Sequence, residues 1–330
     1  MAGRKRITQR ITWIDAARGG GIILVVLGHA LRGMHERGLL DPSWFGALDT
    51  RIYAFHMPLF FLLSGIVFLD GLKGARPASY VSGRFWRLIY PLLLWTYVFL
   101  AFKAAAGSMS NSPLETADLF VSPIPGRWHF WFLWALFVIQ IAFLAVLPLA
   151  GRVPDAVLAP GLLAVSIALL WLPLPGALTP WIGLAVIHLP YFVAGICLGV
   201  VHRRLELPPW AGASALAVFA VLVWTLPFAG MALPLGPLLT AMVLSLLFVA
   251  VFVALGNGAA GRWFAVLGQA SMAIFLAHTI FSAALREVLL KLGVTDGVLH
   301  VVAGTLIGLA APLVLYLLAR RFGWTRRLGF

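Results

Sequence analysis

The chain has 330 residues, 62% of them hydrophobic and only 11% charged, with a mean hydropathy of +0.99. Charged side chains this scarce cannot cover the surface of a soluble domain of this size. The composition therefore excludes a soluble globular enzyme. It predicts an all-α polytopic membrane protein, with residues 1–330 as a single membrane domain. The net charge of +13 would suit nucleic acid, but the distribution of the basic residues predicts a bilayer and no nucleic-acid partner.

Apolar stretches of about 20 residues, each long enough to cross a bilayer as a helix, predict about ten transmembrane helices in one bundle. The stretch at 156–173 is the weakest of them because prolines crowd it. In chain order the predicted helices cover residues 13–33, 50–69, 88–106, 129–150, 156–173, 184–201, 211–229, 235–255, 263–284 and 298–319.

Basic residues set the expected orientation of these helices. With a cytoplasmic N-terminus, 16 of the 24 Lys and Arg residues fall in inner segments and 7 in outer ones, and Arg18 lies inside the first span. This bias predicts that both termini are cytoplasmic, with a basic head at 1–11 and a basic tail at 320–330. The longest connections are expected at 34–49, 70–87 and 107–128, the last as a lid or a re-entrant segment.

The first predicted helix carries the most informative pair of residues, Arg18 and His29. Eleven helical steps of about 100° place both side chains on one face, roughly 16 Å apart along the axis. Because an ionisable group in a membrane costs at least about 2.5 kcal/mol, such a pair is a functional candidate. The alternative is that Arg18 is an anchor paired with Asp15 and that His29 is merely interfacial.

Histidines concentrate on the predicted outer half. His56 stands out because Pro58 should kink its helix and free the carbonyl of Ala54, so a catalytic role and a structural hydrogen bond are both open. No His-x-x-x-His spacing occurs, and the single cysteine, Cys197, excludes a thiolate cluster, so no metal site is predicted. Seven of the eight histidines fall on this half: His29, His35, His56, His129, His188, His278 and His300.

Arg84 and Arg87 stand at the inner end of the third predicted helix. Two arginines three residues apart could clamp phosphates, and Arg18 should lie at a similar depth on the same side. Gly20, in the run Gly19–Gly21, would leave room for a donor beside the first helix. The alternative for Arg84 and Arg87 is ordinary positive-inside anchoring.

The segment from Trp13 to His29 resembles the opening of integral membrane acyltransferase family 3, whose hallmark is a basic residue, ten others and then histidine. The resemblance covers nearly the whole chain. Phe275 departs from it, because a tyrosine often precedes the ninth-span histidine in that family. His56–Phe60 resembles the fucose acetylase-like branch of the family. The other matching motifs are Phe60–Gly65, Arg84-x-x-Arg87 followed by Pro91, Trp131–Leu133 and Ser271–His278.

This resemblance implies an O-acyltransferase of the bacterial inner membrane that moves an acyl group, usually acetyl, from cytoplasmic acyl-CoA to a hydroxyl of a sugar or glycolipid. Arg18, Arg84, Arg87 and Gly20 would hold the acyl-CoA. His29 would act as general base or as an acylated nucleophile, with Asp15, His56 and His278 as further catalytic candidates. The oxyanion donor stays open among His56, Ser64, Trp131 and His278.

A transporter or flippase for a sugar or a lipid-linked intermediate is the alternative function, since it too would need many helices and a polar cavity. Of the eleven acidic residues only Asp15 falls within a predicted span, and Arg18 is its expected partner. The sequence therefore lacks the carboxylate relay typical of proton-coupled transporters. No inverted repeat is evident either.

Overall fold

The computed structural model describes residues 11–72, 76–109, 111, 122–145, 155–201, 205–226 and 235–330. Within these ranges the chain is helical and contains no β-strand, which confirms the all-α prediction. The helices are α1 (Thr12–His35), α2 (Pro42–Ile66), α3 (Phe68–Leu72), α4 (Pro77–Arg84), α5 (Tyr90–Ala106), α6 (Trp131–Ala142), α7 (Asp155–Ala168), α8 (Thr179–Gly199), α9 (Pro209–Thr225), α10 (Leu235–Leu255), α11 (Ala259–Gln269), α12 (Ser271–Lys291), α13 (Gly297–Arg321) and α14 (Thr325–Leu328), with a π-helical segment at Phe85–Ile89.

Each of the ten predicted apolar segments overlaps at least one of these helices. The 25-residue α2 and the shorter apolar helices α7 and α9 cover three of the segments. In the described part of the chain, seven helical stretches are long and apolar enough to cross a membrane: Thr12–His35, Pro77–Ala106, Trp128–Ala145, Thr179–Gly199, Leu235–Leu255, Ser271–Lys291 and Gly297–Arg321.

Three boundaries differ from the prediction. The single helix expected at 263–284 is wrong, because α11 and α12 are separate helices that meet at Ala270. The connection expected at 34–49 is partly helical, since Asp41 accepts a hydrogen bond from the backbone N–H of Ser43 (2.8 Å) and so caps α2. The connection expected at 70–87 is also largely helical, because it holds the end of α3, all of α4 and most of the π-helical segment.

Some expectations lie largely or partly outside the described residues. The basic head at 1–11 is described only at Ile11. Half of the lid expected at 107–128 is likewise outside the description, which there covers 107–109, 111 and 122–128.

Helix α1 is the centre of the bundle. It packs against α2, α10, α11, α12 and α13, and 72% of its most apolar stretch is buried, against 22–50% for the other six spanning stretches. Its contact with α11 is unusually close. A Cβ atom on Gly19 would lie 1.9 Å from the carbonyl oxygen of Phe264, and one on Gly268 would lie 1.7 Å from that of Asp15. Only glycine permits this approach, as is common where membrane helices pack tightly.

Polar contacts fasten α1 at its C-terminal end, the predicted outer end. Arg37 donates hydrogen bonds to Asn111 Oδ1 (2.6 Å), to Glu287 Oε1 (2.7 Å) and to the carbonyl oxygen of Met109. These bonds tie the end of α1 to α12 and to the residues that follow α5. The helix that holds Arg18 and His29 is therefore fixed along its length by neighbours on several sides.

Candidate functional site

Three histidines from three distant parts of the chain meet inside the bundle. The ring centroids of His29 and His278 are 5.0 Å apart, those of His29 and His129 are 5.6 Å apart, and those of His129 and His278 are 5.2 Å apart. We call these three residues the histidine cluster. His129 and His278 are buried, whereas His29 is partly exposed and has no hydrogen bond to another described residue. His29 is therefore the member of the cluster best able to meet a ligand.

Helix α12 fixes His278 in one orientation. Its Nδ1 atom lies 2.9 Å from the carbonyl oxygens of both Ile274 and Phe275. Because a carbonyl oxygen can only accept, Nδ1 must carry the hydrogen, which leaves Nε2 with a free lone pair. That Nε2 atom is buried and has no hydrogen-bond partner in the described residues. His278 can thus accept a proton or a hydrogen bond within the cluster, directly or through one water molecule.

His129 follows a strained turn residue, Trp128, just before α6. Trp128 has a φ of 50°, in the left-handed region that is costly for a residue with a side chain. Its ring is packed edge-on against Phe99, with centroids 4.9 Å apart, and lies near the cations of Lys103 and Arg127. These contacts hold the turn so that the next residue, His129, points into the bundle. Its Nε2 atom is buried and also lacks a partner among the described residues.

Tyr53 of α2 borders the histidine cluster. Its ring centroid is 6.4 Å from that of His29 and 4.5 Å from that of His56. The Arg32 guanidinium lies 3.2 Å from the Tyr53 ring centroid and makes two hydrogen bonds to Asp49, of 2.6 and 2.9 Å. The Tyr53 hydroxyl is buried and has no partner among the described residues. It is a polar group beside His29 that is available to a ligand.

A large cavity opens at the other end of α1. Its volume is about 1410 Å³, larger than the roughly 300–1,000 Å³ of a typical small-molecule site. Two aspartates line it, Asp15 and Asp70, and Asp15 is paired with Arg18 at 3.3 Å. We call this space the basic cavity because five arginines line it: Arg18, Arg84, Arg87, Arg326 and Arg327.

Arg84 and Arg87 reach the basic cavity through the π-helical segment. Arg84 is the last residue of α4 and Arg87 lies within the π-helical turn, so the α-helical spacing expected for the pair does not describe them. Irregular turns of this kind are frequent at functional sites. The Arg84 guanidinium lies 4.6 Å from the ring centroid of Tyr80, which holds it in place. Arg87 is exposed.

One aromatic layer separates the basic cavity from the histidine cluster. Phe275 and Phe132 line the cavity, and their ring centroids are 5.6 Å apart. The Phe275 ring also packs against His129, with centroids 5.3 Å apart. The two sites are therefore adjacent, because Phe275 lines the cavity and contacts the cluster.

A family model described as an acyltransferase domain matches residues 11–317. The chain belongs to acyltransferase family 3. The nodulation protein NolL of Mesorhizobium japonicum is 29% identical over 190 residues, which are 58% of this chain and 47% of that protein. NolL of Sinorhizobium fredii is 33% identical over 122 residues, or 37% of this chain and 32% of that protein. The chain thus spans less than half the length of these relatives. No solved structure matches the chain significantly.

The structure divides the expected residues of this family 3 chain between the two sites. Arg18, Arg84 and Arg87 line the basic cavity, and His29 and His278 belong to the histidine cluster.

Asp15 lines the cavity beside Arg18 and lies fourteen residues before His29. That spacing amounts to about 21 Å along the helix, too far for contact between the two side chains.

The structure shows a structural hydrogen bond of His56, one of the two alternatives left open for this residue. Helix α2 continues through Pro58, and the His56 Nδ1–H donates to the carbonyl oxygen of Ile52 at 2.7 Å. Of the other oxyanion candidates, His278 belongs to the histidine cluster and Ser64 lines the basic cavity. The Ser64 hydroxyl donates to the Phe60 carbonyl oxygen of its own helix, and the Trp131 ring packs near His188.

The structure contradicts the placement expected for Gly20. A Cβ atom there would lie 2.5 Å from the Phe252 ring and 2.9 Å from the Phe248 ring, both in α10. Gly20 thus packs against another helix, and the lining of the basic cavity does not include it. The cavity follows a different face of α1, the one that carries Asp15, Arg18 and Ile22.

Sequence reasoning left out of the site two residues that the structure puts there, His129 and Tyr53. One feature of the sequence could have indicated His129 as a site residue, namely its predicted place on the outer half with the other histidines. Tyr53 lies three residues before His56, and nothing in the sequence distinguished it. Among the described residues no group of three or more His, Cys, Asp or Glu side chains has the arrangement needed to hold a metal ion.

Proposed function

We propose that this chain is a membrane O-acyltransferase that moves an acyl group, taken here as acetyl, from acyl-CoA in the basic cavity to a hydroxyl of a sugar or glycolipid at the histidine cluster. One observation carries the proposal. Phe275 lines the basic cavity and packs against His129, so a space suited to a polyanion adjoins three imidazoles. A two-substrate transferase needs such neighbouring sites, and membership of acyltransferase family 3 supports the same reaction.

The basic cavity suits the donor in charge and in size. The nucleotide portion of CoA carries several phosphate charges, and arginine is the side chain that best pairs with phosphate oxygens. Arg18, Arg84 and Arg87 would bind these phosphates. The narrow, uncharged pantetheine arm would then run along the Asp15 and Ile22 face of α1 toward Phe275. This face replaces the route first expected beside Gly20.

His29 would act as the general base. In direct transfer, a ring nitrogen of His29 takes the proton from the acceptor hydroxyl, whose oxygen attacks the thioester carbonyl carbon. The new C–O bond forms, the C–S bond breaks, and the leaving thiolate regains the proton as CoA–SH. Because His278 holds an unprotonated Nε2 near His29, it can receive or return a proton during this exchange.

A two-step route uses the same residues. There a His29 nitrogen attacks the thioester carbon, CoA leaves as the thiol, and the acceptor hydroxyl then displaces imidazole from the acyl-histidine. Exchange of labelled CoA into acetyl-CoA without acceptor separates the two routes, since only the two-step route allows it.

The proposal includes an arrangement across the membrane. The basic cavity lies at the predicted cytoplasmic end of α1, where acyl-CoA is made available, and the histidine cluster lies on the predicted outer half. The acceptor would reach His29 from outside, past the Arg32 and Asp49 pair and Tyr53. The membrane would be the inner membrane of a bacterium.

The test uses the full chain in proteoliposomes, with acetyl-CoA labelled in the acetyl group and a panel of methyl glycosides that includes fucose, glucose and galactose. We expect free CoA thiol to appear with equal amounts of label in one glycoside. A transporter or flippase would release no CoA, so the absence of thiol with every acceptor would favour that alternative. Supplying donor and acceptor on opposite faces tests the arrangement across the membrane. Transfer only when both share one face would contradict it.

A further inference from the structure

Residues 322–330, which we call the return segment, fold back from the end of α13 onto the start of α5. The Tyr90 hydroxyl donates a hydrogen bond to the carbonyl oxygen of Arg327 (2.6 Å). The indole N–H of Trp95 donates to the carbonyl oxygen of Leu328 (2.8 Å). Two side chains of α5 thus hold the backbone of the return segment, which is a fixed part of the bundle.

Packing adds to these hydrogen bonds. The Phe330 ring stacks on Trp95, with centroids 5.8 Å apart. Gly329 has a φ of 76°, and a Cβ atom there would lie 2.9 Å from the Pro91 ring. A residue with a side chain would be strained in this conformation and would press on the ring. The contact therefore brings the return segment unusually close to α5.

The side chains of Arg326 and Arg327 are left free by this docking and line the basic cavity. Both are exposed, and neither has a carboxylate partner within the described ranges. Arg84 and Arg87, which come from a different part of the chain, line the same cavity. Of the seven charged residues in its lining, five are arginines and two are aspartates, so an anion entering it meets an excess of positive charge.

We infer that Arg326 and Arg327 bind phosphates of the donor's nucleotide portion and so complete the donor site from the side of the return segment. This inference rests on the proposed function, because it takes acyl-CoA as the ligand. The two side chains are exposed, as expected near the open end of the cavity, whereas Phe275 at the other end contacts the histidine cluster. They should therefore contact the nucleotide and not the thioester.

The experiment measures equilibrium binding of unacylated CoA, dephospho-CoA and pantetheine to the purified full chain in nanodiscs of phosphatidylcholine. The test variant is R326Q/R327Q. The matched control is R320Q/R321Q, which removes the same charge from the exposed end of α13, outside the cavity lining. Because the test variant removes two exposed cations that would pair with phosphate, we expect CoA affinity to fall about fivefold. We expect no change in the control, nor in the binding of pantetheine, which lacks phosphates.

A second variant separates charge from position. Tyr90→Phe removes the hydrogen bond that holds the Arg327 carbonyl but keeps both arginines, so it should weaken CoA binding less than R326Q/R327Q does. Raised salt should reduce the CoA affinity of the wild type more than that of R326Q/R327Q, because the double variant keeps only Arg18, Arg84 and Arg87 in the cavity lining.

The outcomes distinguish this inference from the proposed function. If the wild type binds no CoA, the proposed function fails. If the wild type binds CoA and R326Q/R327Q binds it equally well, only the inference fails. If R326Q/R327Q lost pantetheine binding as much as CoA binding, the inference would also fail. The arginines would then act on the shape of the cavity and not on the phosphates. Unchanged CoA affinity of R326Q/R327Q, together with weaker binding of phosphatidylglycerol added to the nanodiscs, would assign the arginines to lipid headgroups and likewise overturn the inference.

Discussion

Replacing His29 by alanine should remove transfer and leave the fold intact. Loss of a general base typically lowers turnover by about 10² to 10⁴-fold, which corresponds to about 2.7–5.5 kcal/mol of activation free energy. The cost in stability should be smaller, on the order of 1 kcal/mol, because His29 is partly exposed and makes no hydrogen bond to another described residue. The two effects can therefore be separated.

The assay measures the rate of CoA release with acceptor, the affinity for CoA and the thermal unfolding midpoint of each variant. His35→Ala is the matched control. It lies on the same helix and loses a ring contact, with Phe45 at 3.9 Å, but it is outside the histidine cluster. We expect His35→Ala to retain near wild-type turnover and His29→Ala to bind CoA normally. A His29→Ala variant that keeps more than about half of wild-type turnover would refute the assignment of His29 as the base.

Four further predictions concern the histidine cluster, the layer beside it, the basic cavity and the packing of α1. His278→Gln removes the free Nε2 lone pair and should lower kcat by up to about 10²-fold with CoA affinity unchanged; an unchanged kcat would make His278 structural. Phe275→Leu thins the layer between the two sites, so CoA release without acceptor should rise above the wild-type rate, and an unchanged rate would show that Phe275 is no barrier. Arg87→Ala should raise the KM for acetyl-CoA, as raised salt should in part, and normal CoA binding would leave membrane anchoring as its role. Gly268→Ala should lower the free energy of unfolding by at least about 1–3 kcal/mol, because its Cβ would meet the Asp15 carbonyl oxygen, whereas Gly46→Ala, with open space around it, should not.

Local patterns in the sequence were enough for several conclusions. Composition and apolar segment length predicted a membrane bundle, because the bilayer requires long apolar helices whose backbone is satisfied internally. Helical periodicity placed Arg18 and His29 on one helix, and α1 is continuous through both. The ordered motifs indicated acyltransferase family 3, which the match over residues 11–317 confirms.

Tertiary structure decided which residues meet. Periodicity tells which side chains share a face of a helix, but it does not tell which other helix covers that face. Gly20 shows the difference, since its face of α1 is covered by rings of α10 while the cavity lies along another face. The break between α11 and α12 at Ala270 was also decided by tertiary structure. It lies within an apolar run where length alone predicted one helix.

The histidine cluster and the basic cavity needed the folded chain for the same reason. His29, His129 and His278 are 100 and 149 residues apart in sequence, and only the packing of α1, α12 and the turn before α6 brings their ring centroids within 5.6 Å of one another. The sequence placed Arg326 and Arg327 in a basic tail, but their place in the cavity depends on hydrogen bonds from α5 to the backbone of the return segment. Composition and periodicity act within one segment, whereas these contacts arise between segments, from close packing and from buried polar groups that must find partners.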